Sequence, residues 1–412
     1  MNAAWTSLAA LVVAVTLSMF TSVNVGVVSL ALAWIVGVYV AGLPLNTVIG
    51  TFPIQLFLTL AGVTLLFGMA HLNGTLERLA ARAVRLCYGN SGVIPVMFFL
   101  VALGLSTIGP GNIATAALLC PMAMAIGHRA AVPPFLMILM VGNGSQAGAL
   151  SPFAPTGVIV NGIMSRIGLA GFEWQTYLNN LLAHTVITFA AYFLFGGGRL
   201  FTRRKDTDTS DIVELESFTW RHWLTVALLI ALVLVVVVFE MQVGMAALAA
   251  ATVLSLAGAA EEKEAIKRMP WNVILMVCGV TVLIGVLERT QGMALFTDLL
   301  ARVSSPSTVT AVIPFVIGVV SVYSSTSGVV LPAFLPTVPG LVERLGGGDP
   351  LAIASAMNVG GHLVDLSPLS TMGALGLAAL PAGVDPKNVF NQLLAWGLSM
   401  TVVGAAICWL LF

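Results

Sequence analysis

Two short stretches of this sequence combine small polar side chains with helix-breaking residues in the middle of apolar runs. The first is Ser106-Thr107-Ile108-Gly109-Pro110-Gly111-Asn112-Ile113-Ala114-Thr115, and the second is Ser324-Ser325-Thr326-Ser327-Gly328. Gly-Pro-Gly stops one half-helix, and Asn112 is placed to start the next. A half-helix N-terminus offers free N–H groups and the positive end of the helix dipole, which suits a carboxylate. Asn112, Thr115, Ser325, Thr326 and Ser327 are therefore candidate ligands for an anionic substrate. The carbonyls that end the preceding half-helix, around Gly109 and Gly111, suit a small cation, with Asn112 and Ser327 beside them.

Two further apolar stretches are interrupted in the same way. One carries Asn143-Gly144-Ser145-Gln146-Ala147-Gly148-Ala149-Leu150-Ser151-Pro152, which is expected to break a helix. Its counterpart is Asn358-Val359-Gly360-Gly361-His362-Leu363-Val364-Asp365-Leu366-Ser367-Pro368. Pro152 and Pro368 each remove a backbone donor and free a carbonyl one turn upstream. Freed carbonyls beside the oxygens of Asn143, Ser145, Gln146 and Asn358 suit a hard cation. Ser151, Pro152, Ser367, Pro368 and Thr371 are assigned to the substrate side. Asp365 is the sharpest single residue, because an ionisable group at membrane depth is expensive and usually faces a cavity or a partner. It is open to three readings: a cation ligand, a protonatable coupling group, or a static partner of His362. No nucleophile elbow, zinc-protease helix or Walker loop occurs, so no enzyme is expected and energy from ATP would need another subunit, which makes an ion gradient the simpler source. The four cysteines are widely spaced and read as free thiols, with no disulfide, transition metal or cofactor expected.

These residues need elements to hold them, and composition says which solvent those elements meet. The 412 residues are 58% hydrophobic and 8% charged, with a mean hydropathy of +1.02. A soluble chain carries about 25% charged residues, so lipid must surround most of this one. Basic and acidic residues balance at 17 each, which gives no hint of nucleic acid. Runs long enough to span a bilayer occur at 3–20, 24–42, 54–72, 175–196, 221–239, 242–260, 271–287 and 388–411. Four stretches are too long for one span and too interrupted for two: 93–127, 133–165, 309–342 and 350–381. Non-helical backbone at membrane depth needs protein or a cavity around it, so these hold the functional candidates. Segments 74–89 and 293–303 are amphipathic and suit the membrane surface.

The halves repeat each other. VNVGVVSLALA (23–33) resembles MQVGMAALAAA (241–251), and GVTLLFG (62–68) resembles GVTVLIG (279–285). GNIATAALLCP (111–121) lies opposite TSGVVLPAFLP (326–336), and LSPFAPTG (150–157) opposite LSPLSTMG (366–373). Four matches in order, at offsets between 215 and 218 residues, point to duplication. The expected organisation is an N-terminal repeat over 1–196 with a re-entrant hairpin at 93–127 and a broken helix at 133–165. A cytoplasmic linker at 197–219 follows. The C-terminal repeat spans 220–412, with its hairpin at 309–342 and its broken helix at 350–381. Tracing the spans with the linker inside leaves four basic residues outside, Arg166, Arg289, Arg302 and Arg344, against thirteen inside. That split satisfies the positive-inside rule and makes the repeats inverted, with both termini on the outer side.

The stretch Asn112-Ile113-Ala114-Thr115-Ala116-Ala117, followed by Pro121, resembles the hairpin motif of divalent-anion/sodium symporters. It departs from that motif at Gly111 and Ile113. FPIQLFLTLAGVTLLFGMAHLNGTLERLAARAVRL (52–86), GSQAGALSPF (144–153) and VDLSPLSTMGAL (364–375) resemble the MatC-type malonate/dicarboxylate carriers more closely. The resemblance implies an all-α polytopic membrane protein of the ion transporter superfamily, with scaffold and transport subdomains and an elevator motion. It implies a homodimer, and substrate and sodium sites at Asn112, Thr326, Ser327, Ser151 and Ser367. The function that follows is coupled uptake of a small dicarboxylate, malonate or a C4-type acid, across a bacterial inner membrane. Sodium or a proton would be the coupling ion. A cation/proton antiporter or oxyanion exporter of the same fold, or the membrane subunit of a binding-protein-dependent tripartite transporter, is the alternative. The substrate pocket is expected to lack Arg and Lys, leaving helix dipoles, amides and the co-bound cation to balance the carboxylates.

Overall fold

The computed structural model describes residues 2–21, 23–85, 90–201, 217–239 and 241–412, and among them every regular element is a helix. A chain whose solvent is hydrocarbon must satisfy its backbone N–H and C=O groups within each segment, and the helix does so. The first half comprises α1 (Ala3–Phe20), α2 (Val25–Trp34, extended by a widened turn over Ile35–Val40), α3 (Ile54–Leu72) and α4 (Thr75–Arg85). It continues with α5 (Val93–Ile108), α6 (Gly111–Arg129), α7 (Pro134–Gly148), α8 (Pro155–Arg166) and α9 (Glu173–Leu194). The second half comprises α10 (Trp220–Phe239), α11 (Val243–Leu256), α12 (Glu262–Arg268), α13 (Trp271–Arg289), α14 (Gly292–Arg302) and α15 (Val309–Ser321). A widened turn at Thr326–Val330 then leads through short helical pieces into α16 (Val338–Leu345), followed by α17 (Pro350–Leu363), α18 (Thr371–Ala378) and α19 (Pro386–Leu411).

Among the described residues, six helical segments are long and apolar enough to cross a membrane: α1, α3, α6, α13, Thr326–Leu345 and α19. The chain is thus a multi-pass membrane protein. Helix α9 is long but diluted by Gln175, Asn179, Asn180 and His184. The two amphipathic stretches form α4 and α14. Of the linker at 197–219, Gly197–Leu200 is helical, while 202–216 lie outside the described residues, as does Cys87. Cys120, Cys278 and Cys408 are buried free thiols.

Each expected hairpin stretch folds as helices on either side of a break, at Gly109-Pro110 in the first and at Val322–Ser325, which contains neither Gly nor Pro, in the second. Gly109 (φ 150°) and Gly111 (φ 78°) adopt conformations that favour glycine, with Pro110 between them, so α5 ends and α6 begins within three residues. The other two breaks fall later than the sequence suggests. Asn143–Gly148 remain helical as the last two turns of α7, and the break runs from Ala149 to Ala154. Asn358–Leu363 likewise finish α17, and the break runs from Val364 to Ser370. Small and polar residues are tolerated inside a helix whose neighbours pack it on all sides, and the proline stops the chain only at its own upstream turn.

Three apolar cores result. One gathers α5, α6, α7 and α9 with α17 and α19, and therefore mixes the two halves. A second joins α1, α2, α8, α13, α15 and α17. The third joins α3, α10 and α11. Two close helix crossings connect the halves. At one, Gly26 of α2 meets Gly279 of α13, where an added Cβ on Gly279 would lie 2.1 Å from the Gly26 carbonyl oxygen. At the other, Gly62 of α3 meets Gly244 of α11, where a Cβ on Gly62 would lie 2.2 Å from the Gly244 carbonyl oxygen. Backbones can approach this closely only without side chains between them.

Candidate functional site

The tip of the first hairpin overhangs a cavity of about 480 Å³, a volume within the usual range for small-molecule sites. Gly109, Gly111, Asn112 and Thr115 line it, together with Thr156 at the start of α8 and Ser327 from the second tip. The α6 N-terminus carries no side-chain cap, so Asn112 does not play the capping role its position suggested. Its side chain turns instead toward α7. Thr115, the fifth residue of α6, is 1% exposed, and its hydroxyl has no hydrogen-bond partner. An uncapped helix start with a buried, unengaged hydroxyl is a donor set for an anion.

Behind this surface runs a chain of hydrogen bonds that ends at Asp365. The Thr156 hydroxyl donates to Asn112 Oδ1 at 3.3 Å, and Asn112 Nδ2 donates to Gln146 Oε1 at 2.9 Å. Gln146 Nε2 donates to Asp365 Oδ2 at 2.9 Å, while the Thr326 hydroxyl donates to Asp365 Oδ1 at 2.6 Å. Every donor in the series points toward the carboxylate, which accepts at both oxygens. The series joins the first hairpin tip, both broken helices and the second hairpin tip. The Gln146 backbone is held from the other side, where Asn180 Nδ2 donates to its main-chain carbonyl oxygen at 2.8 Å. The Asp365 carbonyl also accepts a hydrogen bond from the Ser370 hydroxyl.

His362 is not the partner of Asp365. Its Nδ1 pairs with the Asn358 carbonyl at 2.8 Å, one helical turn back. Asn358 lies buried with its Nδ2 toward the Met164 sulfur, and its Oδ1 has no hydrogen-bond partner. Asn143 donates to the Leu139 carbonyl and pairs through Oδ1 with His184 Nδ1 at 3.0 Å. Ser145 donates back to the Val141 carbonyl. These two expected cation ligands are thus engaged within α7 and with α9. The Ser151 hydroxyl donates to the Thr107 carbonyl at 2.7 Å, tying the α7–α8 break to the end of α5. Ser367 Oγ accepts from the Leu369 N–H, which supports the α17–α18 break next to Pro368. Pro152 lies in the corresponding α7–α8 break, and Thr371 begins α18 as an exposed residue. Ser325 caps the second tip, its Oγ accepting from the Gly328 N–H at 3.2 Å.

Sequence reasoning missed Thr156, Asn180 and His184, for which residue type and hydropathy carry no distinguishing signal. It also expected no Arg or Lys at the substrate pocket. Arg268, the last residue of α12, lines the cavity, and so does His71 from the last turn of α3. Both sit at helix ends where a basic residue reads as merely interfacial. Only the packing of α3 and α12 beside the hairpin tip brings them to the cavity.

Residues 1–149 match the family model described as the dicarboxylate carrier protein MatC N-terminus. The motif read at 52–86 falls inside that segment. The fold is similar to that of the Alcanivorax borkumensis YdaH transporter, with a TM-score of 0.60 and 17% identity over 88% of this chain and 87% of that one. It is also similar to Neisseria gonorrhoeae MtrF, described as illustrating a class of antimetabolite efflux pumps. There the TM-score is 0.57 and the identity 12%, over 92% of this chain and 83% of that one. At these identities the likeness establishes the fold. No curated protein matches the chain. A segment that matches a dicarboxylate-carrier family model, within a fold similar to those of transporters, supports a membrane transporter.

Proposed function

We propose that this protein is a secondary transporter for a small dicarboxylate, of the malonate or C4 type, driven by a sodium or proton gradient. The observation that carries the reading is the cavity beneath the first hairpin. It combines an uncapped helix start, the unengaged Thr115 hydroxyl and no acidic side chain among the described residues that line it. A substrate carboxylate there receives backbone and hydroxyl donors without repulsion from a neighbouring anion.

Asp365 is the coupling group in this scheme. It does not itself line the cavity, but one amide, Gln146, connects it to Asn112, which does. A cation or proton at Asp365 changes what the carboxylate can accept, and an amide that loses its acceptor can rotate to present the opposite edge. Asn112 would then show the substrate a different group, and the two sites exchange free energy through that relay. Asn358 Oδ1 and Asn180 Oδ1, both buried amide oxygens without hydrogen-bond partners, offer hard-cation donors in the same region.

The architecture we propose is a pair of inverted repeats that work by an elevator motion within a homodimer. The two glycine crossings support the repeats. Gly26 corresponds to Gly244 and Gly62 to Gly279 in the internal alignment, so Gly26–Gly279 and Gly62–Gly244 are one contact made twice. In the elevator scheme, the core that unites α5, α6, α7, α9, α17 and α19 is the moving body. With α12 on the cytoplasmic side, the cavity opens inward. The test is uptake of labelled malonate and succinate into proteoliposomes under an imposed sodium or proton gradient. Accumulation under one gradient supports the reading and names its ion. No accumulation of either acid, from folded protein, refutes it.

A further inference from the structure

We infer that Arg268, seconded by His71, is a second carboxylate station at the mouth of the cavity, and that it makes the site select dianions over monoanions. The inference rests on the proposed transport of dicarboxylates and adds the residue that recognises the second carboxylate.

Among the described residues that line the cavity, Arg268 alone carries a fixed charge. The cavity runs from exposed basic groups to a buried hydroxyl: the Arg268 and His71 side chains are 60% and 52% exposed, whereas Thr115 is 1% exposed. The two ends come from different helices, α12 and α3 on one side and α6 on the other. One carboxylate at the α6 N-terminus therefore leaves a second to face the guanidinium.

Both basic side chains already hold a carboxylate of the protein. Arg268 Nε donates to Glu264 Oε1 at 2.8 Å, and His71 pairs with Glu77. Neither glutamate lines the cavity. Glu264 is thus a tethered stand-in that keeps the guanidinium at the mouth. The pair is one turn of helix, exposed and screened by solvent, so it is weak. An arriving carboxylate can replace Glu264 or share the planar guanidinium, which carries donors beyond Nε. A monocarboxylate seated at the α6 end has no second charge to offer here.

The experiment compares malonate with its monoamide in wild-type protein, Arg268→Gln, Arg268→Lys and Glu264→Gln. Transport is read in proteoliposomes and binding in detergent by thermal shift. Arg268→Gln should raise the half-saturating malonate concentration about tenfold. It should leave the maximal rate within about twofold and the response to the monoamide unchanged. Arg268→Lys should recover part of the loss because the charge remains, and Glu264→Gln should lower the half-saturating concentration. All variants should melt at the wild-type temperature, since an exposed pair is being altered. An unchanged malonate response in Arg268→Gln, or an equal loss for malonate and monoamide, overturns the inference while leaving dicarboxylate transport standing. Wild-type protein that neither binds nor moves any dicarboxylate overturns both.

Discussion

The two hairpin tips occupy corresponding places in the halves of the chain and solve the same problem differently. The first breaks its helix with Gly109-Pro110-Gly111, leaves the α6 N-terminus uncapped and presents it to a cavity. The second breaks over Val322–Ser325, caps the widened turn at Thr326–Val330 through Ser325 and commits Thr326 to Asp365. An uncapped tip has donors to offer a ligand, whereas a capped tip has spent them on itself. In the scheme proposed above, the first tip takes the substrate and the second holds Asp365 through Thr326.

The largest expected effect comes from breaking the second tip's contact with its carboxylate. Asp365→Asn keeps the shape but sets an amide against Gln146, and loses charge-assisted hydrogen bonds worth about 1.5–3 kcal/mol each. Gradient-driven accumulation should fall on the order of 100-fold, while exchange of bound substrate with no gradient persists. Normal accumulation in this variant would remove Asp365 from coupling.

The glycines sharpen the comparison next. Gly109→Ala forces a side chain into φ 150° and places its Cβ 2.0 Å from the Phe67 ring. Thermal unfolding should show a loss of roughly 1–3 kcal/mol from the backbone alone. Gly328→Ala on the second tip meets chiefly the Met276 thioether end and the Ser325 hydroxyl. It should cost less than about 1 kcal/mol because that methionine can move. Equal losses at the two positions would mean that the tips are not built differently.

Thr115→Val separates ligand binding from folding. Its hydroxyl has no partner in the protein, so the melting temperature should hold. The half-saturating substrate concentration should rise about tenfold, the scale of one lost hydrogen bond to a charged group. A drop in melting temperature without a change in affinity would make Thr115 structural. The smallest effect belongs to Ser325→Ala, where the lost cap should lower stability by about 1 kcal/mol, leaving substrate affinity close to wild type.

Helices form at all eight expected spans, to within a few positions, and four of these are among the six long and apolar enough to cross a membrane, the other two lying within the interrupted stretches. In hydrocarbon, run length and the placement of Gly and Pro leave the backbone few alternatives. The break points were less legible, because Asn143 and Asn358 look like breakers but stay helical when packed on all sides. The sequence also singled out Asp365, since one carboxylate in an apolar run needs no neighbour to be conspicuous. It could not say that Gln146 and Thr326 would hold that carboxylate, that His362 would turn away to Asn358, or that Arg268 would reach the cavity. Those pairings depend on how each helix is rotated and where it crosses its neighbours. Tertiary packing decides both, and hydropathy carries no record of either.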